Sequence, residues 1–343
     1  MDLTTYTSPL LGRPGAVPAD GLDTGIAAHY GDPLREQRLL VEGLASVDLS
    51  TKGVVAVTGP DRLRWLDSMT SQRLLDLAPG ASTESLVLSP HGHVEHDLHV
   101  VDDGETTWLV VEPGEPADLV AFLDRMRFML RVEVRDATDE YAVVGEPFDT
   151  PSADGEPLAW VDPWPDLGPD TAAYGPQDGH PGDAWRWREV LVPRERLAEH
   201  VGDRPLAGLW AYETLRVAAW RPRLGHETDH RTIAHEVDWL RTAVHLHKGC
   251  YRGQETIARV HNLGRPPRRL AFVHLDGSGH VLPPVGADVV LEEGARPVGR
   301  LTSVGRHYED GPIGLVVLKR SVPEDAELLV GGIAAAQTPV VSR

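Results

Sequence analysis

The chain has 343 residues, a 41% hydrophobic share, a formal charge of −19 and one cysteine. That length and apolar content allow a sizeable core and two or three domains, and no apolar stretch approaches the ~20 residues that span a bilayer. The acidity opposes direct nucleic-acid binding and binding to anionic membranes, and a lone thiol excludes an internal disulfide and fits a reducing cytoplasm. The opening MDLTTYTSPLLGRPG lacks a basic start followed by an apolar run, so no secretory leader is expected. Residues 1–24 read as an irregular Gly- and Pro-rich arm. The pattern then predicts a helix near 33–45, a strand at 53–58 (GVVAVT) and a turn at Gly59-Pro60. A second helix runs from an Asp61 N-cap to about 76, with Leu63, Leu66, Met69 and Leu74 as its apolar face. Strands near 85–89, 94–102 and 106–112 follow, the last two joined by Asp103-Gly104, a strong hairpin signal. A helix near 115–129 and strands near 131–136 and 141–145 complete the region. Hairpins mixed with single helices predict an α+β domain with antiparallel sheet over 25–145.

Residues 146–183 hold eight prolines and read as a loop without regular elements, anchored by Trp160 and Trp164. Structure resumes with 185–192 (WRWREVLV), then helices near 194–201 and 207–219, giving a second α+β domain over 146–265. Over 266–343 short segments are punctuated by Asp276-Gly277, Glu293-Gly294, Asp310-Gly311 and Gly331-Gly332, which predicts a small C-terminal β-barrel.

The most specific stretch is the octet Lys248-Gly249-Cys250-Tyr251-Arg252-Gly253-Gln254-Glu255, which holds the only cysteine. Gly249 and Gly253 permit tight or positive-φ backbone. Lys248 and Arg252 are cations beside the sulfur, and QETIARV reads as a short helix starting just after it. Cations and helix N-termini both favour a thiolate over a thiol. Spacing alone leaves a buried structural cysteine equally open. Six cations (Lys248, Arg252, Arg259, Arg265, Arg268 and Arg269) fall within 22 residues, a pattern that suits an anionic small ligand or a solvated basic face.

The octet resembles the K-G-C-[FY]-x-G-Q-E signature of the YgfZ family, folate-binding proteins that resemble the aminomethyltransferase (T protein) of the glycine cleavage system. The resemblance runs from about residue 25 to the C-terminus. It implies three domains around a central channel, tetrahydrofolate or a derivative as cofactor, and cytoplasmic work in assembling or repairing iron–sulfur clusters in client enzymes, tRNA-modification enzymes among them. Iron–sulfur client or assembly proteins are the implied partners. Cys250 would be the reactive group, tuned by Lys248 and Arg252, with Gly249 and Gly253 shaping its loop and Tyr251, Gln254 and Glu255 orienting it. The resemblance also implies a folate site. Asp97, in GHVEHDL, corresponds to the second residue of an acidic pair in T protein, whose first residue is here His96. Glu236, in TIAHEV, resembles a glutamate that pairs with the pterin; a carboxylate suits that edge because it accepts two parallel hydrogen bonds. Ala234 and Asp238 depart from the proline and glycine of that pattern. Arg216 fits a Leu-Arg element, and Arg268 resembles a basic residue at the barrel entry that would bind the ligand's carboxylate.

The alternatives are a folate-dependent aminomethyl or one-carbon transferase, which the missing acid at His96 argues against, and a non-catalytic folate-binding scaffold. His226-Glu-Thr-Asp-His230 copies the H-E-x-x-H zinc pattern but lacks the helix and apolar stripe that pattern needs. His91, His93, His96 and His99 form a second histidine-rich stretch; strand alternation would place 91, 93, 95, 97 and 99 on one face. No resident metal is expected. Gly277-Ser278-Gly279 leads into Pro283-Pro284 rather than a helix, so no dinucleotide site is expected.

Overall fold

The computed structural model describes residues 6–149 and 157–342. Its contacts fall into two units: one of residues up to Val87, His96–Pro163 and Arg186–Tyr212, the other of Leu88–Glu95, Trp164–Trp185 and everything from Glu213 onward.

The first unit is built on two five-stranded sheets. One runs in the order Ser82–Leu88, Val94–Asp102, Thr106–Val111, Gly53–Thr58, Glu133–Asp136. Asp103-Gly104 makes the predicted hairpin, because Gly104 takes φ +100° and the Asp103 carboxylate accepts the Glu105 and Thr106 amides. The inward residues of these strands (Val55, Val57, Leu98, Val100, Leu109) pack with Trp65 and Leu66 of helix Arg62–Met69 and with Leu119 and Leu123 of helix Pro116–Met126. The second sheet runs Ala159–Val161, Trp187–Pro193, Tyr141–Pro147, Ser46–Asp48, Leu206–Ala207, its last pair parallel and the others antiparallel.

The second unit contains a closed barrel of six strands in the order Arg268–Leu275, Gly311–Lys319, Gly299–His307, Asp288–Val290, Leu328–Val330, Ile333–Pro339. Its interior is aliphatic: Ala271, Val273, Leu301, Val316, Leu318 and Val330. The α+β class, the antiparallel sheets and the C-terminal barrel are those the sequence predicts.

Local differences have physical causes. The helix from 62 ends at Met69 rather than near 76, because Thr70 turns extended and the Asp67 carboxylate caps the amides of Leu74 and Leu75 instead. Asp61 does not cap that helix with its side chain; it holds the Arg131 guanidinium and amide. The proline-rich stretch is not wholly irregular. Ala159–Val161 pairs with Trp187–Pro193, and Trp160 is buried with its Nε1 donating to the Thr83 carbonyl at 2.8 Å.

Candidate functional site

The octet sits at the start of helix Gln254–Leu263, which begins one residue after Gly253. Gly253 adopts φ +81°, and a Cβ there would lie 2.6 Å from the Ser89 carbonyl oxygen. Gly92 answers it from the turn between two strands: its φ is +78°, and a Cβ would lie 2.5 Å from the Thr256 Cβ. The Thr256 hydroxyl donates to the His91 carbonyl at 2.8 Å, and Arg252 pairs with Glu95 at 2.9 Å. The Leu88–Glu95 turn is therefore a platform for the octet. The same turn reaches the Glu236 segment, since the Val94 amide donates to the Thr232 carbonyl and His93 bridges to Ile233.

Cys250 is exposed. Lys248 is buried, its Nζ lying 5.4 Å from the centroid of the Tyr251 ring, a cation–π contact. Tyr251 is buried too, and burial pushes its phenol well above the usual range. Gln254 and Tyr251 line one side of a cavity of about 220 Å³, with His247, Ile257 and His261 around it. His247 Nδ1 lies 3.0 Å from Asp170, which also approaches His245 at 3.3 Å. Gly249 has open space around its Cα and Glu255 is exposed.

Glu236 and Arg268 meet. Arg268 Nε donates to one Glu236 oxygen at 3.0 Å and Nη2 to the other at 2.7 Å, while Nη1 holds Asp229 at 2.5 Å and Nη2 also reaches Thr232. Arg268 hydrogen bonds hold the Asp229 carboxyl far below its ordinary range. Arg216 has a different setting. It is 1% exposed and donates to Glu213, Glu227, Ser303 and the Arg221 carbonyl, so its guanidinium faces protein groups.

Asp97 lies in the first unit, on strand Val94–Asp102, two residues from His99 and on the same face. His99 Nδ1 is 2.7 Å from Glu189, Nε2 is 3.7 Å from Asp97, and the ring stacks on Trp160 at 3.6 Å between centroids. Burial alone would lower the imidazole pKa, yet the Glu189 charge and the Asp97 and Glu189 contacts raise it to about 9. Glu189, against the pull of burial, is lowered to about 2 by His99 and Lys52. Glu84, Asp97 and His99 bring donor atoms within 4.8 Å of one another, the spacing of a cation site. With its pKa raised, a proton on His99 would compete with a cation for that site. The sequence reading passed over Glu84, Glu189 and Lys52. The available signal for Glu189 was its strand: alternation places it with Trp187 and Leu191, an acid among residues that are all buried.

The predicted single face of residues 91–99 does not form over its whole length, because the strand begins at Val94 and Gly92 turns the chain before it. The carboxylate and the strand histidines have separate partners: Glu95 holds Arg252, His96 Nδ1 contacts Glu115, and His99 contacts Glu189. His226–His230 lies outside any helix, and Glu227, 1% exposed, accepts from Arg216, Thr302 and Ser303. That carboxylate is committed to structure.

Residues 27–145 match the family model described as the GCVT N-terminal domain. A putative chloroplastic transferase of Arabidopsis thaliana is 27% identical over 311 residues, 81% of this chain; the chain spans 66% of that protein's length. A protein of Pyricularia oryzae described as a mitochondrial iron–sulfur cluster assembly factor IBA57 homolog is 24% identical over 82% of this chain and 73% of its own. Among solved structures, the glycine cleavage system aminomethyltransferase T of Bartonella henselae superposes with a TM-score of 0.74 at 18% identity, covering 97% of this chain and 95% of the other. The fold is thus aminomethyltransferase-like. Among the described residues no helix is long and apolar enough to cross a membrane.

Proposed function

We propose that this protein binds tetrahydrofolate or a derivative and supports the assembly or repair of iron–sulfur clusters in client enzymes, tRNA-modification enzymes among them, as a cytoplasmic protein of the YgfZ kind. The observation that carries this reading is the exposed Cys250, presented by a turn that only glycine can make at 253, on an aminomethyltransferase-like fold. The similarity to an iron–sulfur assembly factor homolog supports the same direction. Asp97 and Glu236 are the proposed folate acceptors. Arg268 donates to both Glu236 oxygens and to Asp229, so its guanidinium is engaged by these acids rather than free for the ligand's carboxylate, and its proposed role is to fix the Glu236 carboxylate in place. Cys250 is the proposed reactive group, with Lys248 and Tyr251 beneath it. One thiol cannot hold a cluster alone, so any cluster contact is shared with a partner's thiols.

Two measurements test this. Calorimetry should show tetrahydrofolate binding in the micromolar class, about −8 kcal/mol, and Glu236→Gln should weaken it by about 1.5–3 kcal/mol, the scale of a charged hydrogen bond. No heat of binding to ligand-free protein removes the folate reading. In cells lacking the protein, Cys250→Ala should fail to restore iron–sulfur enzyme activities. Full restoration by that variant leaves a folate-binding scaffold in place of a thiol mechanism.

A further inference from the structure

We propose that the turn after helix Pro116–Met126, residues 127–131, is a docking knob for a protein partner that offers an apolar pocket rimmed by carboxylates. The proposal stands apart from the folate-binding reading, and its failure leaves that reading untouched.

The first support is exposure. Phe128 is 82% exposed and Met129 98%, with Leu130 at 43%. Single exposed apolar residues are ordinary, but a contiguous patch of them marks an interaction surface. The core beneath is complete without them: Leu119 and Leu123 are buried in it and Met126 packs on it. The second support is that the turn is built, not frayed. The Leu130 amide donates to the Arg127 carbonyl at 2.9 Å. On one side Trp65 Nε1 donates to the Met126 carbonyl at 3.3 Å. On the other, the Arg131 amide and Nε donate to Asp61 at 3.0 and 3.1 Å. Gly59, at φ +107°, leaves no room for a Cβ beside the Arg131 carbonyl. Phe128 itself takes φ +47°, a region that bulky side chains rarely occupy. The neighbouring contacts thus hold a strained residue in place, and that residue leaves its ring in water.

The third support is charge, and it names the partner. Arg131 is matched by Asp61 and Arg127 by Asp124, each at 3.1 Å. The Asp61 carboxyl is held below its ordinary range by Arg131 hydrogen bonds first and by the charge of Arg64 as well, which places Arg64 at the same turn. Arg64, and Arg125 in the last turn of the helix, are exposed and have no ion pair among the described residues. Glu133, on strand Glu133–Asp136, is an exposed acid that also lacks one, so the unpaired cations outnumber the unpaired acid. On a chain of net charge −19, a cationic surround for an apolar knob selects a partner with acids around its pocket. The same net charge opposes both an anionic membrane and a second copy of the chain. A projecting aromatic with arginines about it is the kind of anchor that fills a pocket at the centre of an interface.

The test places the photo-crosslinking residue benzoylphenylalanine at Met129 of the full chain, and at Glu105 as an exposed control, in cells that make this protein. The expected result is a protein cross-linked from Met129 and not from Glu105, joined through a peptide that holds Asp or Glu beside apolar residues. The purified pair should bind at least about ten-fold more weakly with Met129→Asp, or with Arg64→Glu and Arg125→Glu together, and more weakly with added salt. Circular dichroism and the melting temperature of these variants should stay at wild type, since all three side chains are exposed. The proposal is overturned by an absence of adducts at Met129 beyond those at Glu105, or by a partner whose affinity neither variant changes. It is overturned equally by an adduct with a second copy of this chain, matched by a dimer in sedimentation. Flotation of the wild type with phosphatidylserine vesicles, abolished by Met129→Asp, assigns the knob to a membrane and overturns it too. Tetrahydrofolate calorimetry is indifferent to all of these outcomes and reports on the folate reading alone.

Discussion

Two centres in this chain hold carboxylates close to cations, and they use different ones. In the first unit the cations beside Asp97 and Glu189 are the imidazole of His99 and the ammonium of Lys52. In the second unit the cation between Asp229 and Glu236 is the guanidinium of Arg268. A guanidinium stays charged at any pH a protein survives, and its planar fork fits a carboxylate at two points. An imidazole carries its charge only while its neighbours pay for the proton. The Arg268 centre is therefore fixed in charge, and the His99 centre is conditional.

The largest expected effect comes from removing the fixed cation. Arg268→Met removes the cation shared by Asp229 and Glu236, and should destabilise the protein by about 3 kcal/mol in urea unfolding at pH 7, the scale of breaking a buried pair. A loss below ~1 kcal/mol would show that the centre is solvated and that the contrast with His99 is not one of burial.

Next in size is the pH response of the conditional centre. The His99 pKa is raised from 6.5 to about 9 in the folded state. A raised imidazole pKa stabilises the fold most fully below the unfolded value, and that stability is lost as pH climbs through the folded value. Unfolding free energy should thus fall by about 3 kcal/mol between pH 6.5 and 9.5 through this group, and His99→Gln should flatten that slope. Glu189 describes the acid side of the same pairing: its lowered pKa gives stability present above 4.5 and lost as pH falls toward 2. The pair titrates as a unit, so the two losses are not added. An unchanged slope in His99→Gln removes the distinction between the centres.

A smaller effect sharpens the comparison on the side of Arg268, whose neighbours Thr232 and Ile233 are joined to the turn that supports the octet. Gly253→Ala places a methyl 2.6 Å from the Ser89 carbonyl at a positive φ. It should cost about 1–3 kcal/mol, the scale of local backbone strain, with tetrahydrofolate binding as a second readout. The smallest effect belongs to the thiol. Cys250 is exposed, so Cys250→Ala should change stability by less than about 0.5 kcal/mol. A loss near that of Gly253→Ala would mark Cys250 as a packing residue.

Local pattern made much of this legible. The strand at 53–58 has the predicted bounds, since GVVAVT is a β-branched run closed by Gly59-Pro60. The helix after Gly253 and the hairpin at Asp103-Gly104 were readable for the same reason: each is set by residues within a few positions. Elements fixed by distant partners were not. Trp160 forms a strand amid prolines because Trp187–Pro193 lies ready to pair with it. The Arg252 charge was expected beside the sulfur, but Glu95, 157 residues earlier, takes it up. His99 and Glu189 are 90 residues apart, and no spacing rule connects them. The octet was legible as a motif; its platform, Gly92 against Gly253, was not.

That platform has a consequence for synthesis. Residues Leu88–Glu95 group with the second unit, although most of the chain around them belongs to the first. A ribosome emits residues in order, at about 5–20 per second. The turn at Gly92 therefore leaves the tunnel roughly ten to thirty seconds before Gly253 and Thr256 exist to receive it. Contacts of such long sequence separation close late in folding because their loop entropy must be met first. The seat beneath Cys250 is accordingly among the last parts of the molecule to be completed, and a nascent chain halted before residue 253 can offer the turn Thr232 and Ile233 but not the Gly253–Thr256 segment.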